Sequence, residues 1–64
     1  MNLKLKGRIV TIYGSQVEFA TQLGIEETYV SRVINGRRTP TAAQKTEWAK
    51  ALGCKVRDIF PAEG

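Results

Sequence analysis

Two short amphipathic segments, separated by a glycine, occupy residues 16–36 and restrict how this chain can fold more than any other feature. Apolar residues recur at helical spacing in both segments: Phe19, Ala20 and Leu23 in the first, and Val30, Val33 and Ile34 in the second. Gly24 and Gly36 follow the two segments, and glycine adopts the left-handed conformation in which helices commonly end. The pattern predicts two helices joined by a tight turn.

Polar residues define where the first of these helices begins. Ser15 can act as its N-cap, and Glu18, three residues later, would complete a capping box. The first helix is therefore predicted at Gln16–Leu23. The second is predicted at about 27–35, where the apolar spacing begins and ends.

The N-terminal segment is predicted to form another helix, over Leu3–Tyr13. Three apolar side chains at helical spacing would face the core: Leu5, Ile9 and Ile12. A strand is the alternative, because residues 10–13 favour β-structure and Gly7 weakens a helix. The wider spacing favours the helix.

The C-terminal half begins with a second capping box, formed by Thr41 and Gln44. It opens a helix predicted at about 42–52, with the stem of Lys45 beside an inner face made of Trp48, Ala49 and Leu52. Residues 56–60 would add a last short turn of helix before Pro61, and residues 62–64 would form a loose tail. The whole chain, residues 1–64, is predicted to be one all-α domain of five short helices.

Net charge suggests a polyanionic partner. The chain has ten Lys or Arg against six Asp or Glu, which gives a net charge of +4. Solubility alone would explain a charge of this size. The placement of Arg32, Arg37 and Arg38 around the end of the second motif helix favours nucleic acid instead.

Several classes of function find no support in the composition. No apolar run approaches the roughly 18 residues of a membrane span, and the first residues lack a signal-peptide core. The single Cys54 and the absence of histidine disfavour a nucleophile or a metal site, and Cys54 fits a reducing cytoplasm. We therefore expect a cytoplasmic protein that is not an enzyme and has no catalytic residue, metal or cofactor.

A longer series of residues carries a family resemblance. In the motif it comprises Ser15-Gln16, Phe19-Ala20, Gly24-Ile25, Ser31-Arg32-Val33 and Asn35-Gly36, and beyond the motif Pro40, Trp48-Ala49, Leu52-Gly53 and Ile59-Phe60. In this order the chain, from about residue 3 to residue 60, resembles the helix-turn-helix domain of phage repressor and Cro-type transcriptional regulators. The resemblance implies a lambda-repressor-like all-α fold and sequence-specific DNA binding.

Base-reading residues are expected on the outer face of the second motif helix. If Val30 and Val33 point inward, helical geometry and the family motif both turn Glu27, Thr28 and Arg32 outward. Arginine pairs with guanine, glutamate accepts from cytosine and the threonine methyl contacts thymine. Two of these residues also have a structural explanation, since Glu27 suits a helix N-terminus and Arg32 suits a solvated surface or an i, i+4 contact with Thr28.

Phosphate contacts are expected from residues around both motif helices. Gln16 begins a helix whose N–H groups favour an anion, and Arg37 and Arg38 follow the other helix. The full set of candidates is Gln16, Tyr29, Ser31, Asn35, Arg37 and Arg38. Tyr29 fits the core edge equally well, and the arginines fit a solvated loop.

We expect two copies to bind one DNA site. A single small domain makes few base contacts, whereas a homodimer would place two recognition helices in successive major grooves of a palindromic operator. Residues 56–60, with Ile34 or the loop near Arg38, are candidates for the interface. The chain most resembles a small prophage-type or Cro-like repressor. An antitoxin or interaction adaptor with a protein partner, such as a toxin or polymerase, is the alternative.

Overall fold

The computed structural model describes residues 1–61 and forms five α-helices with no strand in that part of the chain. The helices are α1 (Leu3–Tyr13), α2 (Gln16–Leu23), α3 (Glu27–Ile34), α4 (Ala42–Ala51) and α5 (Val56–Ile59). The all-α prediction is confirmed, and residues 10–13 are helical. Three helices end one residue earlier than predicted, with C-caps at Asn35, Leu52 and Phe60. The predicted loose tail at 62–64 lies outside the described residues.

An aromatic chain forms the centre of the core. The fully buried Phe19 ring meets Tyr13 edge-on at 5.1 Å and Trp48 edge-on at 5.2 Å, measured between ring centroids. Trp48 continues the chain to Phe60 at 6.3 Å. Edge-to-face pairs add to the free energy of burial, so these rings join α1, α2, α4 and the end of α5.

The prediction that Ile12 faces inward is wrong, because its side chain is 48% exposed. The buried face of α1 instead runs through Leu5, Ile9 and the half-buried Tyr13, spaced four residues apart. The Tyr13 hydroxyl donates a hydrogen bond to the Ala51 carbonyl at 3.0 Å. This bond satisfies the polar end of a side chain whose ring lies in the core.

The predicted start signals are present at α2 and α4. The Ser15 hydroxyl accepts from the Glu18 N–H at 3.1 Å, which is half of the predicted capping box; the return bond from Glu18 is not formed in the described chain. Thr41 and Gln44 form the complete box at the start of α4. Caps of this kind replace partners that the first turn of a helix otherwise lacks.

Asn2 connects the N-terminus to two distant elements. Its side chain caps α1 by accepting from the Leu5 N–H, and its amide donates to the Ile59 carbonyl. Its backbone N–H donates to the Ile34 carbonyl at 2.6 Å. Asn2 therefore ties the last turn of α3 to the start of α1 and to the end of α5.

Lys45 is buried on the inner side of α4, as the predicted packing of its stem requires. Its ammonium lies 5.5 Å from the centre of the Phe60 ring. A cation over an aromatic face is attracted by the ring quadrupole, which offsets part of the cost of removing the charge from water.

Candidate nucleic-acid interface

Helix α3 separates its residues sharply between an inner and an outer face. Val30, Val33 and Ile34 are buried, each at most 4% exposed. The three predicted base-reading residues, Glu27, Thr28 and Arg32, are all exposed. The polar side of α3 is therefore open to a partner along the length of the helix.

The dimensions of α3 suit a major groove. An α-helix with its side chains is about 10–12 Å in diameter, and the major groove is about 12 Å wide, so α3 can enter it. The outer face combines guanidinium donors, a carboxylate acceptor and a hydroxyl with a methyl group. These groups can distinguish base edges by hydrogen-bond direction and by apolar contact.

The turn between α2 and α3 fixes the angle at which α3 is presented. Gly24 adopts the left-handed conformation with φ 69° and ψ 31°. The next N–H, from Ile25, returns to the Ala20 carbonyl at 2.9 Å. This closes α2 with a bond pattern typical of a glycine C-cap and starts α3 two residues later.

The predicted phosphate-contacting residues lie in two places. Gln16 is half-buried at the first position of α2, where backbone N–H groups have no helical partner. The second group lies on α3 and in the loop after it: Tyr29, Ser31, Asn35, Arg37 and Arg38.

The loop after α3 presents its cations to solvent. Gly36 has φ 80°, and the Arg37 N–H returns to the Arg32 carbonyl at 2.8 Å. Asn35, Arg37 and Arg38 are exposed, whereas Ser31 is half-buried. Arginines at this end of α3 also lie near the negative end of the helix dipole.

Tyr29 differs from the other phosphate candidates because its polar atom is engaged within the fold. Its hydroxyl donates to Gln44 Oε1 at 3.0 Å, and its ring meets Trp48 edge-on at 6.1 Å. Arg38 lies over the same ring, with Cζ 5.9 Å from the centroid. The capping-box spacing identified Gln44 from the sequence, but nothing in the sequence indicated its bond to Tyr29.

A groove of about 500 Å3 opens beside the interface, between the start of α1 and the end of α3. Its apolar lining includes Met1, Leu3, Val33, Ile34, Pro40 and Phe60. Ile34 and Phe60, predicted as dimer contacts, belong to the core and are at most 8% exposed. Met1 and Leu3, in contrast, are 75% and 68% exposed.

The described residues hold no cluster of three or more His, Cys, Asp or Glu side chains suited to a metal ion. None of the helices there has the length and apolar character needed to cross a membrane. Cys54 is a half-buried free thiol.

A model of the helix-turn-helix family matches residues 14–59, which is more than half of the chain. The match covers α2, the turn and α3 and continues through α4 and α5. No curated protein and no solved structure matches the chain.

Proposed function

The chain belongs to the helix-turn-helix family, whose members are DNA-binding transcriptional regulators, and from this premise we propose that it is a small Cro-like or prophage-type repressor. It would bind its operator sequence-specifically through the major groove and act at the nucleoid, in the cytoplasm. The observation that carries the proposal is the outer face of α3, where Glu27, Thr28 and Arg32 are exposed above a buried apolar face.

We assign the residues of α3 to base reading and those around it to the phosphates. Arg32 would donate to guanine, Glu27 would accept from cytosine, and Thr28 would contact a thymine methyl. The phosphate contacts would come from Gln16, Ser31, Asn35, Arg37 and Arg38. Glu27 would repel the backbone at wrong sites, so the arrangement favours discrimination over nonspecific affinity.

The operator is proposed to be palindromic, because two copies are needed for a specific site of ordinary size. The Cα envelope measures 28 × 23 × 21 Å. Two molecules in side-by-side contact can therefore place their α3 helices about 34 Å apart, which is one turn of DNA. Repression would follow from occupation of a site that polymerase also needs.

The groove beside α3 is our candidate for the contact between copies. A two-fold axis makes each copy present the same patch to the other. The exposed Leu3 and Met1 beside one groove can then enter the groove of the second copy. This pairing would bury two of the most exposed apolar side chains of the chain.

Selection of binding sites from random duplex DNA tests the proposed function. The purified chain should enrich a motif with two-fold symmetry whose half-sites are about one helical turn apart. An enriched motif without symmetry would retain DNA recognition and reject the palindrome. Failure of any duplex to bind at low ionic strength would reject the regulator and favour a protein-interaction module.

A pair of variants on α1 tests the contact between copies. Leu3→Lys puts a cation against the groove, which already carries Arg38 and Lys45, and should shift the sedimentation of DNA-bound complexes towards one copy per duplex. Val10→Lys is the matched control, because Val10 is also exposed on α1 but lies outside the groove lining. Equal behaviour of the two variants would place the interface elsewhere.

A further inference from the structure

We infer that Tyr29 is a positioning residue of the DNA interface, which holds the guanidinium of Arg38 at a fixed place beside α3. The inference rests on the proposed function, because that function gives Arg38 a phosphate to contact. It assigns Tyr29 a role other than the direct phosphate contact predicted from the sequence.

The contacts of Tyr29 fix its ring from several sides. The hydroxyl is anchored by Gln44, the ring packs at 90° to the buried Trp48, and the side chain is half-buried. The Arg38 guanidinium lies over this ring, 5.9 Å from its centre. A ring that is held in one orientation can attract and order a flexible cationic side chain.

Gln44 connects the Tyr29 side chain to the start of α4. Its Oε1 atom accepts from the Thr41 N–H at 3.0 Å and from the Tyr29 hydroxyl at the same distance. An amide oxygen has two lone pairs, so both bonds can form together. The atom that completes the cap of α4 therefore also orients the Tyr29 ring.

The backbones of α3 and α4 do not approach each other closely, so the side chain of Tyr29 makes a connection between the two helices. No Cα atom of α3 lies within 8 Å of a Cα atom of α4, both helices being fully described. The loop that joins them carries Arg37 and Arg38, and both are exposed. Tyr29 reaches across this gap and gives the loop a fixed point next to the recognition helix.

An arginine that rests on a ring can still bind phosphate. The attraction to the ring acts on the charge of the guanidinium and uses none of its five N–H donors, which stay available to a phosphate. Arginine loses much rotamer freedom when it is ordered. A side chain that is already ordered in the unbound protein loses less conformational entropy on binding. The Tyr29 ring should therefore increase affinity without touching DNA.

A double-mutant cycle tests the inference. The four proteins are the wild type, Tyr29→Leu, Arg38→Ala and the double variant, each titrated with the duplex recovered by selection over a range of salt concentrations. Arg38→Ala should lower the slope of log affinity against log salt by about one. Tyr29→Leu should weaken binding about two- to fivefold in the wild type and have no further effect in the Arg38→Ala background.

A second variant and the choice of temperature separate an effect on stability from an effect on DNA binding. All titrations are made at a temperature where circular dichroism shows every variant folded. Tyr29→Phe loses the bond to Gln44 but keeps the ring and its packing on Trp48, so Arg38→Ala should reduce affinity in Tyr29→Phe by most of its wild-type factor. In Tyr29→Leu that factor should shrink.

Other outcomes overturn the inference in distinguishable ways. If Tyr29→Leu weakens binding equally with and without Arg38, then Tyr29 touches DNA directly or acts on the fold in general. If the effect of Arg38→Ala is lost in Tyr29→Phe, the hydroxyl and not the ring is responsible. A wild-type chain that binds no duplex overturns the proposed function together with this inference, whereas binding with additive effects overturns this inference alone.

Discussion

The two helices of the motif are equally long but are held in place differently. Helix α2 has local devices at both ends, the Ser15 cap and the left-handed Gly24. Helix α3 begins at Glu27, and the side chain of its N-cap residue Glu26 makes no capping bond. Its buried residues hold it instead, together with the turn at Gly36 and the bond from Asn2 to the Ile34 carbonyl at its C-terminal end.

Because of this difference, α3 does not need its outer side chains to stay in place. Eight residues are too few for a stable isolated helix, so α3 depends on its inner face and on its neighbours. The side chains of its outer residues Glu27, Thr28 and Arg32 make no hydrogen bond or ion pair within the described chain. These side chains can therefore be substituted without the loss of a contact that the fold uses.

The largest expected effect is on the free energy of unfolding and concerns Phe19, the core residue of α2. Phe19→Ala removes a ring that packs between Tyr13 and Trp48 and should cost about 3–5 kcal/mol, because such a cavity collapses only partly. A domain this small has roughly 3–5 kcal/mol in total, so the variant should be unfolded by circular dichroism at room temperature.

The exposed Val17 on the same helix provides the control for Phe19. Val17→Ala should change the free energy of unfolding by less than about 0.5 kcal/mol in urea titrations. If Phe19→Ala stayed folded with an unchanged unfolding transition, the Phe19 ring would not stabilise the core in the way its contacts indicate.

The next effect concerns DNA and not stability. Arg32→Ala should leave the unfolding transition within about 0.5 kcal/mol of the wild type, because the side chain is exposed. It should weaken binding to the selected duplex by about 1–3 kcal/mol and relax the preference at one base pair. Competition titrations with single-base variants of the site measure both quantities.

Arg8→Ala is the charge-matched control, since Arg8 is exposed on α1. It removes the same positive charge without touching the outer face of α3. If Arg32→Ala weakened all duplexes equally, Arg32 would be a phosphate contact and the assignment of the outer face would be wrong.

Local signals explain which parts of this fold could be predicted from the sequence. The starts of α2 and α4 follow from Ser15 and from the pair Thr41 and Gln44, whose caps act over three residues. The inner face of α3 follows from apolar spacing. Both kinds of signal are complete within one turn or two, so no knowledge of the tertiary structure is needed to interpret them.

Apart from single-residue shifts at helix ends and the incomplete box at Glu18, the features that the sequence did not predict involve partners far apart in the chain. Ile12 and Tyr13 both fit the apolar spacing after Ile9, and Tyr13 turns inward, where its ring meets Phe19 and its hydroxyl meets the Ala51 carbonyl. The bond from Asn2 to Ile59 spans 57 residues, and the bond from Tyr29 to Gln44 spans 15. Such pairs depend on how the helices pack, which spacing alone does not specify.

The smallest effects test the comparison of the two helices most directly. Ser15→Ala removes the cap of α2 and should destabilise the domain by about 1 kcal/mol. Glu26→Asp should do the reverse at α3. It keeps the charge but brings a carboxylate within reach of the first-turn N–H groups, and the backbone at Glu26, with φ −81° and ψ 140°, already suits an N-cap.

We expect Glu26→Asp to stabilise the domain by about 0.5–1 kcal/mol in urea titrations. Because the net charge is unchanged, any gain is attributable to the new cap and not to the helix dipole. If Glu26→Asp leaves stability unaltered, water already satisfies the start of α3 as well as a side chain would. The uncapped end would then be neutral for stability, and the contrast with α2 would rest on the inner face of α3 alone.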